Sequence, residues 1–475
     1  MFVQQFFVKG LAHSSYLLGG SETCAIVDPR RDVQIYLDAA KELQMRITHV
    51  LETHLHADFV SGHLDLAERT GAKIYAPKSG ECAFDHVALV EGDRFEIEDM
   101  IVEVRETPGH TPEHISYVVA DKARGDEPAG AFCGDTLFVG DVGRPDLFPG
   151  QARQLASRLF DSLHEKLLTL PDFCTVYPAH GAGSLCGRAM GAMRTSTIGY
   201  ERKYNAALQI RDRDEFVRSL TTNMPGAPDH FSRCSAINAK GPALVRQLPA
   251  PMPMAPDAFR KAAEGDGAII LDVRPYDSFG GQHVPGAWHI DFGGNFATFA
   301  GWVLPPQAEI LLVAQTADQA AEAATWLRRV GLDQVVGYLD GGMFAWAKAG
   351  LPTAHVGQIS PQELHAMATG EEKFQLIDVR APREFEQAHV QGAINVPAPE
   401  LRTRHNELAP SIPVVALCST GHRSSLAASI LRQHGFERVM NAAGGMTGYA
   451  AAGLGPACPM CVGPHGTRFL GKELG

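Results

Sequence analysis

The sequence predicts an α/β protein: one large layered domain followed by two small domains with parallel sheets. Three observations carry this reading. Over residues 1–247, short apolar runs alternate with segments of helical periodicity. A proline-rich stretch, Leu248 to Pro256 ("LPAPMPMAP"), then breaks the pattern and reads as a linker. Beyond it, one unit occurs twice. The chain has 475 residues, too many for one ordinary core. At roughly 100–200 residues per domain, two to four domains are expected.

Taken in order, "CAIVDP" and "ITHVLETH" read as strands that end in ligand-type residues, and "VQIYLDAAKELQM" and "LASRLFDSLHEKLLTL" as amphipathic helices. "VVA" and "AGAFCGDTLF" read as two strands around a charged turn. Such alternation implies an α/β sandwich with its chemistry on loops at strand ends. After the linker, "LDVRPYDSFGGQHVPGAWHI" from Leu271 matches "IDVRAPREFEQAHVQGAINV" from Ile377. The offset is 106 residues early in the unit and 103 late, so the first copy is net three residues longer in between. Its extra residues lie near Asp291 to Trp302, an aromatic-glycine insert. That insert either packs on a neighbouring domain or subunit or is a longer surface loop that folds onto its own core. Ser360, Pro361 and Glu363 mark a helix start in the second copy: N-cap, first helical position and capping box. The expected bounds are 1–247, 257–355, 356–457 and a tail of 458–475.

Hydrophobic residues make up 45% and charged residues 20% of the chain, as in ordinary globular proteins. A net charge of −12 argues against nucleic acid or an anionic membrane as partner. No signal peptide or spanning segment is expected. The nine cysteines are scattered rather than set in a disulfide framework, so a reducing cytoplasm is the expected location. "CPMC", Cys458 to Cys461, is a lone C-x-x-C with no second pair nearby.

"THLHADF" places His54, His56 and Asp58 at alternate positions after a strand, with Phe59 next. Downstream, His110, Asp135 and His180 each sit where an apolar run meets a glycine turn. Ligands at strand ends can converge on one loop face. Over roughly residues 1–220 the pattern resembles the metallo-β-lactamase fold superfamily, an αββα sandwich. That resemblance implies a first metal on His54, His56, His110 and Asp135. It implies a second on Asp58, the residue at position 59, His180 and the shared Asp135. Benzyl has no lone pair to donate, so Phe59 points to a mononuclear centre. Four ligands suit tetrahedral zinc and hydrolysis. Two histidines and one carboxylate with open positions suit non-haem Fe(II). The branch it resembles most is the persulfide dioxygenases, which implies Fe(II), one per chain, on His54, His110 and Asp135, with Zn as the alternative. His56, Asp58 and His180 then become supporting groups. "GDVGRPDLF" also resembles that branch and offers Arg144 as a substrate contact or, alternatively, a structural ion pair.

In "VVALCSTGHRSSLAASIL" an apolar strand delivers Cys418, and a helix begins near Ser424. The loop Ser419, Thr420, Gly421, His422, Arg423 and Ser424 offers backbone N–H groups, a helix N-terminus and a fixed cation to a thiolate. Residues 356–455 resemble the rhodanese (sulfurtransferase) family, in which this cysteine carries persulfide sulfur. Four residues lie between Cys418 and Arg423; phosphatases that share this fold use five, so the resemblance implies a shorter ring that fits one sulfur atom. In the first copy, projection by the late offset puts Gln315, Asp318 and Ala320 at the places of Cys418, Gly421 and Arg423. The middle domain is therefore expected to be a catalytically silent rhodanese-like module. Cys24, Cys82, Cys133, Cys174, Cys186 and Cys234 are expected to be structural.

The whole resembles persulfide dioxygenase–rhodanese fusions. This implies oxidation of a thiol persulfide such as glutathione persulfide by O2 to sulfite, with Cys418 linking persulfide, sulfite and thiosulfate in either direction. A homo-oligomer is expected. The competing reading is a zinc thioester hydrolase of the glyoxalase II type joined to a sulfurtransferase. A third is a non-enzymatic sulfur carrier.

Overall fold

A computed structural model describes residues 1–456 other than 189, 223 and 225. The Cys458–Cys461 motif lies outside the described residues. Residues 1–248 together with 328–331 form one compact unit, and the rest of the described chain forms a second.

The first unit is built on two six-stranded sheets. One runs Phe2–Val8, His13–Gly19, Thr23–Val27, Arg46–Leu51, Lys73–Pro77, Val87–Leu89. The other runs Ser196–Thr197, Thr175–Pro178, Pro128–Gly134, Ile115–Asp121, Met100–Glu106, Arg94–Ile97. Tyr16, Val27 and Leu51 from the first sheet pack with Val104, Tyr117 and Phe132 from the second in one buried cluster. Strands that are apolar on both faces must be covered on the outside as well. Residues of the helices Gln34–Glu42 and His63–Thr70 join the outer core of the first sheet. Those of Ala152–Asp161 and Arg213–Thr221 join that of the second. The layers are thus α, β, β, α.

The second unit holds two five-stranded parallel sheets with the same strand order. The predicted linker is shorter than the sequence suggested. Met252–Met254 is an edge strand, parallel to Val335–Leu339. A proline survives there because an edge position can spare its missing N–H donor. Gly357–Ile359 plays the same part in the second copy. In each copy the Asp-Val-Arg motif closes a buried bidentate pair. Arg274 binds Asp272 and the Gln282 carbonyl; Arg380 binds Asp378 and the Ala388 carbonyl. The repeated motif is a clamp at the end of the strand beside the central one. The capping box is present, with Ser360 and Glu363 exchanging side-chain-to-backbone hydrogen bonds.

Strand register corrects the alignment of the repeats. Asp272 pairs with Val313, and Asp378 with Leu417. Ala314, rather than Gln315, therefore stands where Cys418 stands. Three residues (314–316) separate strand from helix in the first copy and four (418–421) in the second. The loop of the first copy is one residue shorter and has no cysteine, and Gln315 N–H donates to the Gln319 side chain.

Candidate functional site

Four loops at the ends of strands from both sheets build the first site. His54 follows Arg46–Leu51, His110 follows Met100–Glu106, Asp135 follows Pro128–Gly134 and His180 follows Thr175–Pro178. One ligand atom each of His54, His110 and Asp135 lies within 4.8 Å of the others. His110 Nε2 is 3.3 Å, and His54 Nε2 3.9 Å, from Asp135 Oδ2. All three atoms are buried without a hydrogen-bond partner. Stranding three polar atoms together in the interior costs several kcal/mol unless something else binds them. That donor set fits a metal ion.

The surroundings set the lone pairs. His110 Nδ1–H donates to the Arg144 carbonyl (2.9 Å), which leaves Nε2 free to ligate. Thr53 donates its hydroxyl proton to Asp28 and can accept from His54 Nδ1 at 2.9 Å, with the same result. His180 lies between two carboxylates, with Nδ1 2.7 Å from Asp135 Oδ1 and Nε2 2.7 Å from Asp58 Oδ2. Burial alone would lower its pKa; Asp135 and Asp58 together raise it well above the usual range. Burial pushes the Asp135 carboxyl up, but His180 and His110 hold it well below the carboxylate range. His56 belongs to a different group: its Nε2 is 3.1 Å from Asp28 Oδ1 and 3.8 Å from Glu52 Oε2.

Phe59 is fully buried, its ring centroid 4.0 Å from that of His13 and 4.4 Å from that of His56. Arg144 is buried too. Its guanidinium forms a bidentate pair with Asp146, and it donates to the Leu185 carbonyl. Its charge is paired with Asp146 in this structure.

Three residues near this site carried no sequence signal on their own. His114 Nε2 accepts from the Asp135 N–H (2.9 Å), and its ring stacks on His54 at 4.7 Å. It is the second histidine of "TPGHTPEH", which was the available hint. His13 enters from the start of the strand His13–Gly19, beside Phe59. Cys186, expected to be structural, joins Asp58 and His180 in a second group whose ligand atoms lie within 4.8 Å. Burial and the Asp58 and Asp135 carboxylates push its thiol pKa well up.

The second site starts at Cys418, the residue after the strand Val414–Leu417. Its Sγ is fully buried and accepts from Gly421 N–H (3.1 Å) and from the Ser424 hydroxyl (3.2 Å). The helix begins at His422, two residues before the predicted start. The Cys418 and Ser419 carbonyls accept from Met446 and Thr447 N–H groups at the start of the next helix. Gly445 makes that approach possible: a Cβ on it would lie 2.3 Å from the Cys418 carbonyl oxygen. Arg423 is not free beside the sulfur. It forms a buried bidentate pair with Glu384 (2.7 and 2.8 Å) and donates to Ser419. It braces the loop instead of adding an unpaired cation to it.

Residues 8–180 match the metallo-beta-lactamase superfamily, and residues 255–349 and 360–452 each match the rhodanese-like domain. The mitochondrial persulfide dioxygenase ETHE1 of Bos taurus is 31% identical over 233 residues, 47% of this chain and 82% of that protein. The chain belongs to the metallo-β-lactamase superfamily and continues into two rhodanese-like domains. A second superfamily relative, the hydroxyacylglutathione hydrolase of Pseudomonas paraeruginosa, is 31% identical over 222 residues, 46% of this chain and 81% of that protein. Among solved structures, a metallo-beta-lactamase from Staphylococcus aureus subsp. aureus COL has a TM-score of 0.65 at 34% identity. It covers 71% of this chain and 98% of its own. Among the described residues, no helix is long and apolar enough to cross a membrane.

Proposed function

We propose that the first domain is an Fe(II)-dependent persulfide dioxygenase and the last a sulfurtransferase working through Cys418. The observation that carries the first half is the donor set. Two imidazoles and one carboxylate form a site of their own, with Phe59 where a second metal would need an imidazole. Fe(II) bound there would supply open positions for a persulfide anion and O2 and the electrons for oxygen chemistry. His54, His110 and Asp135 would hold it. Arg144 O and Thr53 fix the imidazole tautomers, His114 orients the Asp135 backbone, and His180 compensates the Asp58 and Asp135 charges.

The overall reaction balances as RSSH + O2 + H2O → RSH + SO3²⁻ + 2H⁺. In the last domain, Cys418 takes the terminal sulfur of a persulfide, RSSH + Cys418–SH → RSH + Cys418–SSH. Gly421 N–H and the Ser424 hydroxyl, which bond the sulfur in the resting loop, would stabilise the negative charge on it. Sulfite then attacks the outer sulfur and leaves as thiosulfate, and Cys418 leaves as thiolate. A reducing cytoplasm and a low-molecular-weight thiol such as glutathione as carrier agree with the free thiols among the described residues.

The zinc hydrolase reading is supported by the hydroxyacylglutathione hydrolases, which reach the same 31% identity. One experiment separates the two. The protein is isolated without added metal, its Fe and Zn are measured, and O2 uptake is followed with glutathione persulfide. Iron with O2 uptake is expected. Zinc with thioester hydrolysis and no O2 uptake would reject the dioxygenase.

A further inference from the structure

The middle repeat has lost its nucleophile, yet it is bonded to the helix that begins at the Cys418 loop. Four residues of His422–Gln433 meet it. His422 Nδ1 is 2.7 Å from Asp291 Oδ2, and the Ser425 hydroxyl is 2.9 Å from His289 Nδ1. The Ser429 hydroxyl accepts from His289 N–H (3.0 Å), and Gln433 donates to the Gly286 carbonyl (2.7 Å). Positions 422, 425, 429 and 433 are one helix face. The bonds fix the silent repeat against the loop that carries the sulfur.

Tyr276 is the residue this fixing delivers. Its ring lies edge-on to His422, 5.0 Å between centroids. It also lies over Gly421: a Cβ placed there would be 3.0 Å from Tyr276 Cζ. Gly421 has φ +103°, so the position excludes a side chain on both counts and leaves room for the ring. Asp291 Oδ2 accepts from both the Tyr276 N–H (3.1 Å) and His422. One carboxylate therefore ties the ring to the loop it covers. Burial pushes the Tyr276 hydroxyl pKa up, against a backbone hydrogen bond at Gly444. Asp291 opens the insert that distinguishes the first copy, and the insert's helix, Phe296–Val303, packs against the 398–400 turn of the next domain. Of the two readings of the insert, packing on a neighbour is the one the structure selects.

We propose that the silent repeat supplies the outer wall of the sulfur site, with Tyr276, held by Asp291, admitting small sulfur oxyanions to Cys418 and hindering bulky thiols. This rests on the reading of Cys418 as the sulfur carrier. It gives a physical reason for a fully buried Cys418 with polar partners, which an open cleft would leave exposed. Asp291 and Tyr276 are positioning residues, since neither forms a bond to sulfur.

The test uses the full chain and measures Cys418 alkylation by peptide-resolved mass spectrometry, with iodoacetamide as the small probe and N-pyrenylmaleimide as the bulky one. Y276A is expected to raise the bulky-probe rate at least about tenfold and the small-probe rate less than about threefold. Y276F, which keeps the ring, should retain the wild-type ratio. D291A should shift the ratio in the direction of Y276A. In sulfur transfer to cyanide, Y276A should lower KM for glutathione persulfide while kcat with thiosulfate changes little. Y276L makes the same point if Y276A does not fold, and O2 uptake is the control for an intact first domain. An unchanged probe ratio in Y276A and Y276L overturns the proposal. Normal probe selectivity in a wild-type chain that transfers no sulfur would instead overturn the Cys418 reading.

Discussion

At the scale of single residues, the sites are governed by pairs that sequence spacing does not reveal. His114 holds the Asp135 backbone through one hydrogen bond. Groups of this kind govern how well a metal is held. His114→Ala should weaken metal retention by about 10–100-fold, read by chelator competition, with little change in fold. Glu384 and Arg423 form the corresponding pair in the last domain. Removing one partner of a buried ion pair leaves an unpaired charge, so Glu384→Ala should cost about 3–5 kcal/mol in denaturant unfolding. Burial pushes the Glu384 carboxyl up, but Arg423 holds it below its ordinary value of 4.5. The folded pKa is thus the lower one. The pair's stabilisation is fully present above the unfolded carboxylate range and is lost as pH falls through the folded value. A denaturation series from pH 6 downward should show Glu384→Gln converging on the wild type in acid.

At the scale of elements, the loop after Val414–Leu417 depends on the helix that follows later in the chain. Gly445 lets Gly445–Ala451 approach closely enough to bond the Cys418 and Ser419 carbonyls. Its φ of +54° adds to the steric limit. Gly445→Ala should destabilise the domain by about 1–3 kcal/mol and slow sulfur transfer, while O2 uptake persists. Melting curves and both assays check this. Elements with strong local signals were legible in the sequence: the strands before His54 and Cys418, the helix from Pro361 with its Ser360 capping box, and the repeat itself. The edge strand Met252–Met254 was not. Its prolines give a loop signal, and only pairing with Val335–Leu339 makes it a strand. The one-residue error in aligning Cys418 with the first copy arose likewise, because the silent loop is shorter and register is a property of the sheet.

At the scale of the whole molecule, the proposed pair of sulfur chemistries on one chain predicts separable losses. Cys418→Ala should leave persulfide-dependent O2 uptake largely intact and end thiosulfate formation, measured by O2 electrode and ion chromatography. Loss of both in a folded variant would reject the division of labour. The middle domain then has a role that its own loop cannot supply, as a fixed wall instead of a second catalyst.

What the sequence determined by itself was the inventory: a histidine and aspartate series at strand ends, a phenylalanine in place of a ligand, a cysteine loop, and a repeat with its loop emptied. Those signals are local, because chain direction and hydrophobic period place the residues at the ends of strands. Only the tertiary structure decided the partners. It turned Arg144 and Arg423 from free cations into paired ones, gave His56 to Asp28 and Glu52, brought His13 and Cys186 to the metal region, and set Tyr276 over Gly421. Hydrogen bonds and ion pairs act over a few ångströms in space, whereas these partners lie up to well over a hundred residues apart in the chain. No spacing rule connects them until the sheets have fixed where each loop ends.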